Sequence, residues 1–420
     1  MALYIPKKAH TALHYIKLFI MKKSFLLLLL GGSLSACTQS KIQYPMIKEI
    51  QPSATTGSSQ AVVVDSVPLA HTAQFLPLTK EGTLVGDKDL SKQIDQVFNN
   101  ISLALKEADS DLDRVVKINV YLSEGNLIPE VQKAFSLKFT GNKPAVSFVT
   151  GDLSHPDAAI AMDAIAVSGL HTDDRVRYFN SPELYTLSKA AHVSVLPAGG
   201  VTYVSGQADK GDITEATRGT IWQLDSTLKF LGITKNQVIQ IKSFMQPMTD
   251  VHVVEEEFAR FFEGSTVPPL VFVDWVSQDP VIEIELIAAS PAETAKAADQ
   301  MSFLTPPFMT GSPIYSKVAQ INRGKKFYIS SLYGASDDPE QQTTELFASL
   351  KELLPAIGSD FAHLGKATYY VSDEVASAAL NKIRPDFYDP QRPPAASKAM
   401  VKGVGKGMSI NIDMIGVVKE

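Results

Sequence analysis

The chain has 420 residues, 45% of them hydrophobic and 20% charged, so it is too long for one ordinary core and too apolar for extensive disorder. A formal net charge of −6 leaves no electrostatic footprint for a nucleic-acid backbone, so nucleic acid is excluded as a partner. One cysteine, Cys37, excludes an intrachain disulfide framework and a thiolate zinc site.

A targeting segment comes first. Lys22 and Lys23 precede the leucines Leu26 to Leu30, and Leu34-Ser35-Ala36-Cys37 follows after two glycines. A basic start, a short apolar stretch and small residues before a break read as a secretory signal, and the stretch is too short for a permanent bilayer span. Its last four residues resemble the lipobox of bacterial lipoproteins. That resemblance implies cleavage between Ala36 and Cys37, acylation of Cys37, and a lipid bilayer of the bacterial envelope, the outer membrane, as partner. Residues 1–20 precede a complete signal with its own Met21 and read as an upstream extension; residues 21–36 are the signal peptide. Residues 37–60, rich in Ser, Thr and Gly from Ser53 to Ser59, read as a tether.

One order of elements then recurs three times. A long helix carries apolar residues at helical spacing: Ile94, Val97, Phe98, Ile101 and Leu105 in the first copy, Ile221, Leu224 and Leu228 in the second, Leu346, Phe347, Leu350 and Leu354 in the third. Strands are expected next at Val115–Leu122, Val238–Met245 and Leu364–Val371. A second helix follows with an aromatic stripe, Phe135 and Phe139 against Phe258 and Phe262, which Pro385 interrupts in copy three. Proline-opened strands begin at Pro144, Pro268 and Pro394, spaced 124 and 126 residues apart. Each copy closes on an alternating strand, Ile160–Val167, Ile282–Ala289 and Ile410–Val417. The expected domains are 61–170, 178–292 and 303–420. Alternation implies mixed sheets with two helices on one face, hence three α+β two-layer sandwiches.

Val-Val-Lys-x-x-Val-Tyr-Leu at Val115 to Leu122, Pro144-Ala145-Val146-Ser147, Ile160 to Val167, and Tyr203-Val204-Ser205-Gly206-Gln207 together resemble the Rid (YjgF, endoribonuclease L-PSP-like) superfamily. Copy three has Tyr328-Ile329-Ser330-Ser331 at the last of these, and copy one shows no clear equivalent, as if its first hairpin were trimmed. The resemblance implies a chorismate mutase-like fold and, because such proteins are homotrimers with clefts between subunits, a monomeric chain folded as a pseudo-trimer with three non-equivalent clefts.

It also implies a chemistry. Active members hydrolyse enamines and 2-imino acids, and an arginine just after Pro-Ala grips the substrate carboxylate through a planar fork. Here those positions hold Val146, Leu270 and Ala396. An aliphatic side chain cannot anchor a carboxylate, so deaminase chemistry is expected to be lost. The candidate cleft residues are Ser205, Gly206 and Gln207, the acidic Glu283 and Glu285, and Lys398 as a substitute cation; Arg392 is a second cation nearby. Glu283, Glu285, Asp163 and Asp413 fit an exposed strand face as well as a cleft. The eight histidines form no chelating pair, so no metal and no cofactor are expected. Gly403-Val404-Gly405-Lys406-Gly407 opens no helix and reads as a hairpin rather than a phosphate loop. Family-associated ribonuclease activity finds no basic stripe to support it. Three readings remain open: a membrane-anchored binding or scaffold module for an unknown small molecule, a divergent deaminase using Lys398, and a structural component of an envelope complex.

Overall fold

The computed structural model describes residues 47–171, 173–186 and 189–420; the expected signal, Ala36, Cys37 and residues 37–46 lie outside them. Copy one comprises β1 (Ile47–Ser53), β2 (Ser58–Val64), β3 (Leu69–Thr72), α1 (Leu90–Glu107), β4 (Val115–Leu122), α2 (Ile128–Lys138), β5 (Ala145–Thr150) and β6 (Ile160–Val167). Copy two runs through β7 (Arg177–Phe179), β8 (Val193–Leu196), β9 (Val201–Gln207), α3 (Ile213–Phe230), β10 (Val238–Met245), α4 (Val251–Phe261), β11 (Leu270–Asp274) and β12 (Ile282–Ala289). Copy three repeats the order as β13 (Met301–Leu304), β14 (Val318–Ile321), β15 (Lys326–Ile329), α5 (Pro339–Ile357), β16 (Leu364–Val371), α6 (Glu374–Ile383), β17 (Ala395–Met400) and β18 (Ile410–Val417). Among the described residues no helix is long and apolar enough to cross a membrane.

Carboxylates start the long helices. Asp89 accepts a hydrogen bond from the Lys92 amide at 3.2 Å, Asp212 from Thr214 and Glu215 at 2.9 Å each, and Asp338 from Gln341 at 2.8 Å. Their apolar stripes are buried as expected. The aromatic stripe of α2 locks onto α1, with Phe98 edge-on to Phe135 at 5.2 Å and to Phe139 at 5.7 Å. In copy three, where Pro385 ends the helix early, Phe387 stacks on Phe347 of α5 at 4.8 Å and restores the contact from a short turn.

Each copy builds the same mixed sheet, in the orders β5-β4-β6-β3, β11-β10-β12-β9 and β17-β16-β18-β15. The first pair of each is parallel and the others antiparallel. Two expectations are corrected here. Copy one is not trimmed: β3 pairs with β6 as β9 does with β12, with Leu69 opposite Val167 and Val201 opposite Ala289. And the tether does not extend to residue 60, because β1 and β2 form an antiparallel pair whose Ala61 to Val64 are buried. Polar composition marked that stretch as loop, but one face of β2 is covered by the rest of the molecule.

The copies are stitched by exchange of strands. β8 of copy two pairs with β3 of copy one, β14 of copy three with β9 of copy two, and β2 of copy one with β15 of copy three. The ring closes. The sheet faces turned away from the helices share one buried cluster containing Val116, Ile165, Tyr203, Ile239, Ile287, Tyr328 and Ile415, drawn from all three copies. The pseudo-trimeric arrangement expected from the repeats is therefore supplied by one chain.

Candidate functional site

Where two copies meet, the end of one copy's hairpin strand faces the proline-opened strand of the next. At the junction of copies three and one, Ser330 Oγ donates to the Ser59 carbonyl at 2.6 Å and accepts from the Val146 amide at 2.7 Å. At the junction of copies two and three, Ser205 Oγ repeats both bonds, donating to the Ser316 carbonyl and accepting from Ala396. At the junction of copies one and two the partner is Gln74, whose amide donates to the Leu270 carbonyl at 3.0 Å and whose side-chain nitrogen donates to Phe272 at 2.9 Å. So Gln74 stands in copy one where Gly206 stands in copy two. Sequence reasoning missed it because no Ser-Gly pair precedes it.

These bonds settle the expected site residues one by one. Ser205 is spent on joining strands, and the Gly206 amide donates to Ser397 Oγ at 3.2 Å. Gln207 donates to Thr227 of α3 at 3.0 Å. Glu283 does face it: its carboxylate occupies the space beside Gly206 that a Cβ would fill. Burial pushes this carboxyl up to about 7, against the pull of Ser397 and Lys398. Lys398 reaches the same neighbourhood but donates to Ser377 of α6 at 2.7 Å, and burial holds its ammonium below the usual lysine range. Arg392 lies instead over the Phe303 ring, 5.2 Å from its centre.

Glu285 is not a cleft residue, and neither Asp163 nor Asp413 is on an exposed face. All three are buried between the sheets with Lys117, Lys242 and Lys366. Lys117 Nζ donates to Asp413 Oδ1 at 2.7 Å, to Ser147 Oγ at 2.6 Å and to the Ile329 carbonyl at 2.7 Å. Lys366 pairs with Glu285 at 2.8 Å, while Asp163 accepts from Tyr121 at 2.7 Å and Asn119 at 2.9 Å. Burial raises the Asp163 carboxyl; for Asp413 burial acts the same way, but Lys117, Lys242 and Lys366 outweigh it and the carboxyl falls below its usual range. Three acids and three bases cancel at the centre of the molecule. Charged residues alternating with aliphatic ones suggested solvent, but here the charged face is covered by the other two copies.

The positions of the lost arginine divide in two. Val146 and Ala396 are buried in the helix-side cores of copies one and three. Leu270, although also packed, lines an open cleft of about 270 Å³ between copies one and two. Phe75, Phe272, Tyr185 and His192 form its walls, with His155 and His252 also on its lining. Tyr185 lies over Gly82, where φ is +81° and a Cβ would strike the ring. Burial lowers the His192 imidazole, so it is neutral near pH 7; its Nδ1 accepts from the Ser181 amide at 3.1 Å. Among the described residues lining this cleft there is no lysine or arginine, and Glu255 is the sole carboxylate.

Comparison with known proteins agrees with this architecture. The family profile described as Endoribonuclease L-PSP matches residues 48–168, 185–290 and 321–418. Protein HMF1 of Saccharomyces cerevisiae is 32% identical over 122 residues, covering 29% of this chain and 92% of the yeast protein. The mitochondrial protein MMF1 of the same yeast is 31% identical over 124 residues, 29% of this chain and 83% of its own length. The crystal structure of yeast Mmf1 aligns at 25% identity with a TM-score of 0.23, covering 29% of this chain and 99% of that one. Each relative thus corresponds to about one copy. With three separate matches across the three sheets, the chain belongs to the Endoribonuclease L-PSP (YjgF/Rid) family, as a tandem array of three of its domains.

Proposed function

We propose that this chain is a small-molecule binding member of its family that has lost imine hydrolysis, and that it binds at the junction of copies one and two. The observation that carries the reading is the lining of that cleft: Leu270 stands where the resemblance puts an arginine, and no other lysine or arginine among the described residues lines the cavity. A substrate carboxylate placed there has no lysine or arginine among the described lining residues to pair with, at a cost of about 2–5 kcal/mol. A divergent deaminase is the rival, favoured by Lys398 and Glu283 lying near one another at the junction of copies two and three. Ammonia release from freshly generated 2-iminopropionate separates them. The expected rate equals that of buffer, for the native chain and for Lys398→Ala alike. Turnover that disappears in Lys398→Ala establishes the deaminase instead.

The same proposal places the protein on a membrane through Cys37. The support is the basic, leucine-rich stretch ending in Leu34-Ser35-Ala36-Cys37. Expressed in a bacterium that processes lipoproteins, the native chain should partition into the detergent phase of Triton X-114, and Cys37→Ser should move to the aqueous phase. Equal partitioning of the two refutes acylation at this cysteine.

A further inference from the structure

Resting on the cleft reading above, we propose that the junction of copies one and two selects an aromatic ring that carries no carboxylate, and that the three junctions are chemically distinct rather than three copies of one site. The register of the proline-opened strands shows the divergence. Phe272, Phe148 and Lys398 occupy equivalent places, each two residues past the lost arginine, opposite Ser243, Val120 and Tyr369 respectively. On the last strand, Glu283 corresponds to Ala161 and Asn411, since Ile282, Ile160 and Ile410 open that strand in register with Met245, Leu122 and Val371. An amine and a carboxyl therefore come together only where copies two and three meet. At the junction of copies one and two both are absent: Phe272 stands in place of the lysine and Ala161 in place of the glutamate.

Six rings line this cavity, from Phe75, Phe272, Tyr185, His155, His192 and His252. Phe75 and His192 are tilted at 58° with centres 6.1 Å apart, an arrangement that leaves ring edges and faces open to a third ring. The volume of about 270 Å³ lies at the small end for ligand sites, where drug-sized pockets span roughly 300–1,000 Å³. A molecule of one or two rings fits. Charge decides the remaining specificity. A carboxylate on that ring finds no lysine or arginine among the described lining residues, so it loses solvation without gaining an ion pair. Neutral His192 completes the wall without adding a charge of its own.

Three probes of similar size test this on the full chain by ligand-detected NMR titration: benzamide, benzoate and cyclohexanecarboxamide. Benzamide should bind at least tenfold more tightly than each of the others. Phe272→Lys, which installs the residue that copy three already carries at this place, should reverse the order of benzamide and benzoate. Because the substitution could perturb folding, Tyr185→Ala is the second variant. Its half-buried ring lies on an irregular segment, and its loss should weaken benzamide at least fivefold while the melting temperature stays close to native. Tight benzoate binding overturns the exclusion of a carboxylate, and equal binding of cyclohexanecarboxamide overturns the aromatic preference, with the cleft still a site in each case. Binding of none of the three overturns the cleft itself, and with it the binding reading.

Discussion

Replacing Lys117 by methionine is expected to lower folding stability by about 3–5 kcal/mol, although it exchanges a charge for an apolar side chain of similar length. The reason is the group left behind. Asp413 is buried, and Lys117 is its hydrogen-bonded counter-ion at 2.7 Å. Without it the carboxylate keeps Lys242 and Lys366 nearby but loses its hydrogen-bonded counter-ion, and must stay charged with less compensation or take up a proton; either is costly. The double replacement Lys117→Met with Asp413→Asn should recover most of the loss, because the buried charge goes with its partner. Urea denaturation midpoints of the two variants against the native chain measure this. If the single variant unfolds at the native midpoint, Lys117 and Asp413 do not stabilise the fold as a buried ion pair.

Acid should destabilise the protein through His71, and His71→Leu should relieve it. His71 is buried, neither ring nitrogen has a hydrogen-bond partner among the described residues, and burial aided by Lys326 lowers its imidazole to about 3. The sign follows from which state binds the proton. Above the ordinary value of 6.5 both folded and unfolded chains carry neutral imidazole, so the group contributes no pH dependence there. As pH falls from 6.5 towards 3, the unfolded chain protonates and the folded one does not, so stability is progressively lost. At pH 5 the loss is about 2 kcal/mol relative to pH 8. His71→Leu removes that component, so its stability relative to the native chain should improve by this amount between pH 8 and pH 5. Tyr203 and Tyr328 sit at the equivalent places of copies two and three, opposite Ile287 and Ile415 as His71 is opposite Ile165, so the position is not restricted to histidine. Identical pH dependence for the two proteins rules out the mechanism.

Most of the fold was legible because it obeys short-range periodicities. The strands expected at Val115–Leu122, Val238–Met245 and Leu364–Val371, and those closing each copy, have the observed limits. Leu69–Thr72 escaped because four residues are too few to show alternation and no glycine follows it. The site was less legible, and for a different reason. Glu283 and Glu285 are two residues apart and so share a strand face, yet one meets Gly206 at a junction and the other meets Lys366 at the centre. Which copy covers each part of that face is a matter of tertiary arrangement, and local pattern does not record it. Leu270 could be named from sequence as an absent arginine. That it alone among the three such positions lines the cleft of copies one and two depends on Tyr185 and His192, which arrive from the segment joining those copies.

The exchanged strands also set the order in which the molecule can be completed. Ala61 pairs with Ile329, so the opening strand of the body finds its neighbour only after more than half the chain has followed it. Until then β2 has β1 along one edge and a nearly bare second edge, the kind of exposed strand that recruits other chains. Copies one and two can dock as they emerge, since β8 needs only β3, but the ring stays open for want of its last third. A chain cut short after copy two would therefore be an unclosed arc with two sticky ends. Covalent linkage of the three copies thus replaces a concentration-dependent assembly with a time-dependent one, and the hazard moves from dilution to interruption.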